Sequence, residues 1–269
     1  IVLGHSVEKA DLIIMGGTFP ARDIHYQNDF IKFAFKAMND FSESFFEKGK
    51  LKIDEFKEFF ELPGIIGDET RIKSLHKKIL SLKENKISTL EQEQKRNETT
   101  IVRCIGMTIE TRPDQASLNQ ANIMLNQGCT RIELGIQSVY DDALEKINRG
   151  HDTATSVAAI RRLKDLGFKL NFHIMPGIPS VSQEADVSAF RILFEDSRYC
   201  PDMLKIYPLM VMPKTKLFEN YKLDLFKPLS TKKAAEIIAQ AFKYIPKYCR
   251  VMRVQRDIPS YRVEAGVDK

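Results

Sequence analysis

The sequence predicts an α/β fold built on parallel strands. Three observations carry that prediction. Short apolar runs of strand length alternate with stretches whose apolar residues fall at helical spacing. Glycine or proline closes most of these runs. Strand followed by helix recurs along the chain, and that order implies parallel pairing through right-handed crossovers. A doubly wound sheet and a βα barrel both fit, and in either the chemistry gathers at the C-terminal ends of the strands.

Ala10–Met15 reads as a first buried strand, ended by Gly16-Gly17. A helix is expected over Ile24–Phe41, where Phe30, Phe33, Ala34, Ala37, Met38 and Phe41 share one face. Gly49–Asn97 is rich in Lys and Glu and reads as a partly helical, partly mobile insertion. Strands are then expected at Ile101–Ile109, Arg131–Ile136, Lys169–Met175, Met203–Tyr207 and Arg250–Gln255. Helices are expected at Asp114–Gln127, with Asp114 as N-cap and Gly128 as stop, at Asp141–Ile147 and at Thr153–Leu166, capped by Asp152 or Thr153 and ended by Gly167. Two more are expected at Ser182–Phe194 and Ser230–Tyr244.

The 269 residues suffice for a large buried core, and their 43% hydrophobic and 29% charged content is that of a soluble globular protein. No run approaches the roughly 18 apolar residues a membrane span needs, and no secretory signal is present. The chain opens Ile1-Val2-Leu3 without an initiator Met, which points to a fragment. Cys104, Cys129, Cys200 and Cys249 are scattered, and a metal or iron–sulfur loop would show at least one tight pair. Four reduced thiols are the plain expectation. The net charge of +5 is uneven: Cys200–Lys269 holds 14 Lys/Arg against 7 Asp/Glu. Such an imbalance suits a phosphate-binding face and equally a solvated surface.

The strand ends carry polar groups or glycine turns. Gly16-Gly17-Thr18 would leave backbone groups free for a ligand, or form a tight turn. Glu110 can take an ammonium or hydroxyl, or pair with Arg112. Glu133 and Gly135 share a strand face, with Gln137 at its mouth as a ligand contact or a loop anchor. Arg149 offers a planar fork for carboxylate or phosphate. His173 stands near a strand end, where a lone histidine is more often structural. Lys205 lies in an apolar run, so its burial demands a partner or a wet cavity. Core packing alone does not ask for five such strand ends in succession, whereas a cavity binding carboxylate and amine groups does.

The strings MGGTF (15–19), TIETRPD (108–114), RIELGIQSVYDD (131–142), NRGH (148–151), FHIMPGIPS (172–180), LKIYP (204–208) and RVQRDIP (253–259) complete the pattern. In this order and spacing they resemble the radical S-adenosylmethionine (SAM) domain of the Elongator catalytic subunit family, over nearly the whole chain outside 49–97. The resemblance implies a partial (βα) TIM-like radical-SAM barrel over 1–208, with the first strand and cluster loop missing, and a basic extension over 209–269. It assigns SAM binding to Gly16, Gly17, Thr18, Glu110, Gln137, Arg149 and His173, and places Lys205 and Tyr207 beside the reacting groups as catalytic candidates. It implies a [4Fe–4S] cluster with ligands outside this chain, and acetyl-CoA and tRNA as co-substrates. The implied chemistry cleaves SAM to a radical that abstracts hydrogen from the acetyl methyl group, and the carbon radical adds to C5 of the wobble uridine. Lys243, Lys247, Arg250, Arg253 and Arg256 become RNA contacts, with Arg253 and Arg256 foremost. Further Elongator subunits or self-association are implied as partners, and the chain alone is expected to be inactive. Two other functions stay open, a non-catalytic tRNA-binding module and a radical-SAM enzyme of the coproporphyrinogen dehydrogenase type.

Overall fold

The computed structural model describes residues 1, 4–84, 87–255 and 258–267. The chain divides into two compact units, one of residues 1–14, 20–108 and 124–129, the other of 15–19, 109–123 and 130–269.

The first unit begins with strand β1 (Lys9–Ile14). Helix α1 (Ile24–Phe45) follows, started by Asp23, whose carboxylate accepts from the His25 and Tyr26 amides. It runs four residues beyond the expected end because Ser42 and Phe45 are themselves buried. The insertion is largely helical. A hairpin of β2 (Phe46–Glu47) and β3 (Lys50–Leu51) turns through Lys48 and Gly49, both at positive φ. Helices α2 (Ile53–Phe59), α3 (Glu69–Glu84) and α4 (Leu90–Asn97) complete it. Phe41, Phe45, Phe56, Phe59 and Phe60 pack ring against ring, with centroids 4.9–6.5 Å apart. That aromatic cluster supplies the core which the Lys/Glu-rich composition hid. A buried polar knot ties α1 and α4 to strand β4 (Arg103–Thr111): Asn39 donates to Glu93, Asn97 donates to Asn39, and the Cys104 amide donates to Asn97.

The second unit takes up the end of β4 and the first part of α5 (Leu118–Asn126), and continues with β5 (Arg131–Gln137), α6 (Asp141–Lys146), α7 (Thr153–Asp165) and β6 (Lys169–Ile174). It then runs through α8 (Gln183–Glu195), β7 (Met203–Ile206), α9 (Lys216–Lys222), α10 (Thr231–Ala241) and β8 (Arg250–Val254). Laterally β1 lies next to β4 in the first unit, and the second follows the order β4-β5-β6-β7-β8. The pairs β5–β6, β6–β7 and β7–β8 are all parallel, as helix-bearing crossovers require. Asp152, Ser182 and Ser230 cap α7, α8 and α10.

Two local expectations need correcting. Asp114 is not an N-cap: Arg112 holds its carboxylate in a bidentate pair at 2.8 and 2.7 Å, inside a 3-10 turn over Pro113–Gln115. The α5 helix instead starts after Ser117, which exchanges reciprocal hydrogen bonds with Gln120. Helix α9 was not anticipated, since its seven residues between two proline-bearing segments show little periodicity. No helix among the described residues is long and apolar enough to cross a membrane.

Candidate functional site

Strands β5, β6 and β7 align their polar residues through register. Glu133 pairs with Asn171, and His173 pairs with Lys205, so these residues stand in adjacent rows on one face. Glu133 is fully buried, and Asn171, His173 and Lys205 are each less than a tenth exposed. Asn171 Nδ2 donates to Glu133 Oε1 at 3.0 Å, and His173 Nε2 lies 2.9 Å from Glu133 Oε2. Lys205 Nζ donates to that same Oε2 and stands 3.6 Å from Glu110 Oε1. The buried lysine thus has the partner its burial demands.

The two carboxyls are driven apart. Burial pushes Glu133 up, but the hydrogen bonds from His173 and Lys205 outweigh it and hold the group down at about 2. Burial pushes Glu110 up too; His173 and Lys205 oppose that, the neighbouring Glu133 adds to it, and Glu110 ends above the ordinary carboxylate range. An ionised Glu133 accepts only, so the proton between it and His173 belongs to Nε2. Glu110, Glu133 and His173 have ligand atoms close enough to hold a metal ion. The Lys205 ammonium already bonds the shared oxygen and offsets the carboxylate charge, so the set is an ion-pair network. Tyr207, buried, sets its ring edge-on to His173 with centroids 5.3 Å apart.

A second cluster forms at the end of β5. Gln137 adopts a positive φ of 68°, where the β5–β6 register shifts, and its Oε1 is buried without a partner. Arg149 donates through Nη2 to the Gly135 carbonyl at 3.0 Å. A Cβ on Gly135 would lie 2.2 Å from that Nη2 and 3.0 Å from Gln137 Nε2, so only glycine admits this arrangement. His151, from the same NRGH string, has a buried side chain 3.9 Å from Asp114. Burial first, then Arg149, holds its imidazole below the usual range. After β1, Gly16 and Gly17 have φ of 101° and 65° and open space where a Cβ would project. With Thr18 they belong to the same unit as the strand-end residues.

On β8, Arg253 is in register with Lys205 and is exposed, as are Arg250, Lys243 and Lys247. Arg256 lies outside the described residues. Sequence reasoning did not single out Glu133 and Asn171 as site members. Their signal was present: a buried lysine needs a buried acid, and Glu133, Gly135 and Gln137 alternate along one strand.

A family model described as the radical SAM superfamily matches residues 13–190, and one described as the radical SAM C-terminal domain matches 201–269. The tRNA uridine(34) acetyltransferase of Methanocaldococcus infernus is 39% identical over 99% of this chain and 42% of its own length. Human Elongator complex protein 3 is 35% identical over 99% of this chain and 41% of its own length. The chain therefore spans less than half the length of these curated relatives. A solved structure, the archaeal Methanocaldococcus infernus Elp3 with an N-terminal deletion, matches with a TM-score of 0.81 and 38% identity, covering 100% of this chain and 53% of the other.

Proposed function

This chain belongs to the radical SAM superfamily, and from that premise we propose that it forms the SAM-binding portion of an Elongator-type tRNA uridine(34)-modifying enzyme. The parent protein uses SAM and acetyl-CoA to carboxymethylate C5 of the wobble uridine, in the cytoplasm and with Elongator-type partners. The observation that carries this reading is the row His173, Lys205, Arg253 across β6, β7 and β8. It sets a buried ion-pair network beside an exposed arginine suited to a phosphate.

The residues present fit SAM. Gln137 Oε1 lacks a partner, Gly16 and Gly17 leave their backbone open, and Gly135 makes room for the Arg149 fork. Glu110 would take the ligand's ammonium, Arg149 its carboxylate, Gln137 a donor group and His173 a ribose hydroxyl, with Gly16, Gly17 and Thr18 against its amino-acid end. Bound SAM would supply a carbon–sulfur bond for one-electron cleavage, the electron coming from a [4Fe–4S] cluster with ligands outside this chain, while the protein supplies orientation and dryness. Lys205 and Tyr207 border the reacting groups, the first as a held ammonium and the second as a buried hydroxyl. The cysteines do not fit an iron–sulfur cluster. Cys104 donates to the Gly106 carbonyl, Cys200 faces the Phe194 and Asp196 carbonyls, and burial pushes the Cys249 thiol up to about 12, away from a thiolate. Lys243, Lys247, Arg250 and Arg253 would meet tRNA phosphates.

Calorimetry with SAM and tRNA binding across a salt series test the proposal. The chain binds both, and the Arg250→Ala/Arg253→Ala protein binds tRNA more weakly, its log–log salt slope shallower by about 0.9 per lost phosphate contact. Equal tRNA binding by variant and wild type, or no affinity for SAM, refutes it.

A further inference from the structure

Glu133 has no exposed surface, so it cannot touch a ligand, yet three polar side chains converge on it. Asn171 turns its amide nitrogen to Glu133 although this leaves its own Oδ1 buried and without a partner. Glu110, by contrast, keeps 23% of its side chain exposed and meets Lys205 only at 3.6 Å. The buried acid therefore organises the row, and the half-buried acid faces outward.

We propose that Glu133 is a positioning residue that decides which atoms His173 and Lys205 offer to the bound ligand. Asn171 fixes the plane of the carboxylate through Oε1, and Oε2 receives the other two groups. Because an ionised carboxylate only accepts, it draws the His173 proton to Nε2. In the neutral ring Nδ1 is then a bare acceptor, matched to a ligand hydroxyl. An ammonium has three donors. Lys205 directs one at Glu133 and has Glu110 within ion-pair reach, which leaves a donor for a ligand oxygen. This inference rests on the proposal that His173 and its neighbours hold SAM, and it adds a residue that acts without contact.

The test uses the full chain labelled with nitrogen-15. Long-range proton–nitrogen correlation spectra report each imidazole tautomer, and the His173 signals are assigned by their loss in His173→Asn. The wild type shows the Nε2–H form at His173. Glu133→Gln loses that form or mixes it with Nδ1–H and weakens SAM about tenfold or more, in line with the loss of orienting partners elsewhere. Glu133→Asp keeps the carboxylate and restores the tautomer and part of the affinity. A merely structural role would leave the tautomer unmoved in a folded Glu133→Gln protein, so an unchanged tautomer with unchanged affinity overturns the proposal. An Nδ1–H form in the wild type overturns it as well, whether or not the variant folds. A wild type with the Nε2–H form, dependent on Glu133, but with no affinity for SAM refutes the functional proposal and leaves the positioning role standing.

Discussion

Gly135→Ala adds one methyl group where the structure has no room for it. The new Cβ would stand 2.2 Å from Arg149 Nη2 and 3.0 Å from Gln137 Nε2. Contact distances for carbon begin near 3.4 Å, so the guanidinium must retreat by about 1 Å. It then loses its 3.0 Å bond to the Gly135 carbonyl. A misplacement of about 1 Å in a positioning group costs on the order of 100-fold in function. Gly135 is not at positive φ, so alanine meets no backbone strain there, and Arg149 is a flexible side chain that can swing aside. Calorimetry should therefore find SAM affinity reduced between about ten- and a hundredfold, with the unfolding midpoint nearly unchanged. Wild-type affinity in a folded Gly135→Ala protein would show that Arg149 does not hold the ligand from its position against β5. A large loss of stability would show that the Arg149 contact is structural.

Lys205→Met removes the cation beside a fully buried carboxylate, and breaking such a pair costs about 3–5 kcal/mol. Urea denaturation measures the loss, and Lys205→Met/Glu133→Gln should recover part of it; a single-variant cost below about 1 kcal/mol would mean that the pair is not coupled. Asp186 is buried at the start of α8, where it accepts from the Gly177 amide at 2.8 Å, and burial raises its carboxyl from 3.8 to about 7. The folded state thus binds this proton more tightly than the unfolded state, so the stabilisation is complete below about pH 4 and is lost as pH rises through about 7. Thermal midpoints across that window should fall for the wild type and stay flatter for Asp186→Asn, which can still accept from Gly177. Parallel curves for the two proteins would remove Asp186 as the source.

The alternating order of strands and helices was legible because period and punctuation are local. Asp152, Ser182 and Ser230 cap helices where the pattern placed them, since a cap is a contact across three residues. The start of α5 was misplaced because Asp114 had a competing partner two residues away, Arg112. The insertion hid its nature for another reason. Its charged residues dominate the composition, while its stability rests on Phe41, Phe45, Phe56, Phe59 and Phe60, which meet only once α1 and α2 fold together.

For the site, the sequence by itself determined which residues stand at the strand ends and, through motif strings, which family they belong to. It also required that Lys205 find a counter-charge, because an unpaired ammonium is too costly to bury. The tertiary structure decided which acid answers it. The sequence pointed to Glu110 and passed over Glu133, whereas strand register brings Glu133 against Asn171 and His173 against Lys205. Register is a pairing between residues tens of positions apart, and no local pattern encodes it. That pairing left Glu133 ionised beneath the row and Glu110, with its raised carboxyl, at the surface of the network.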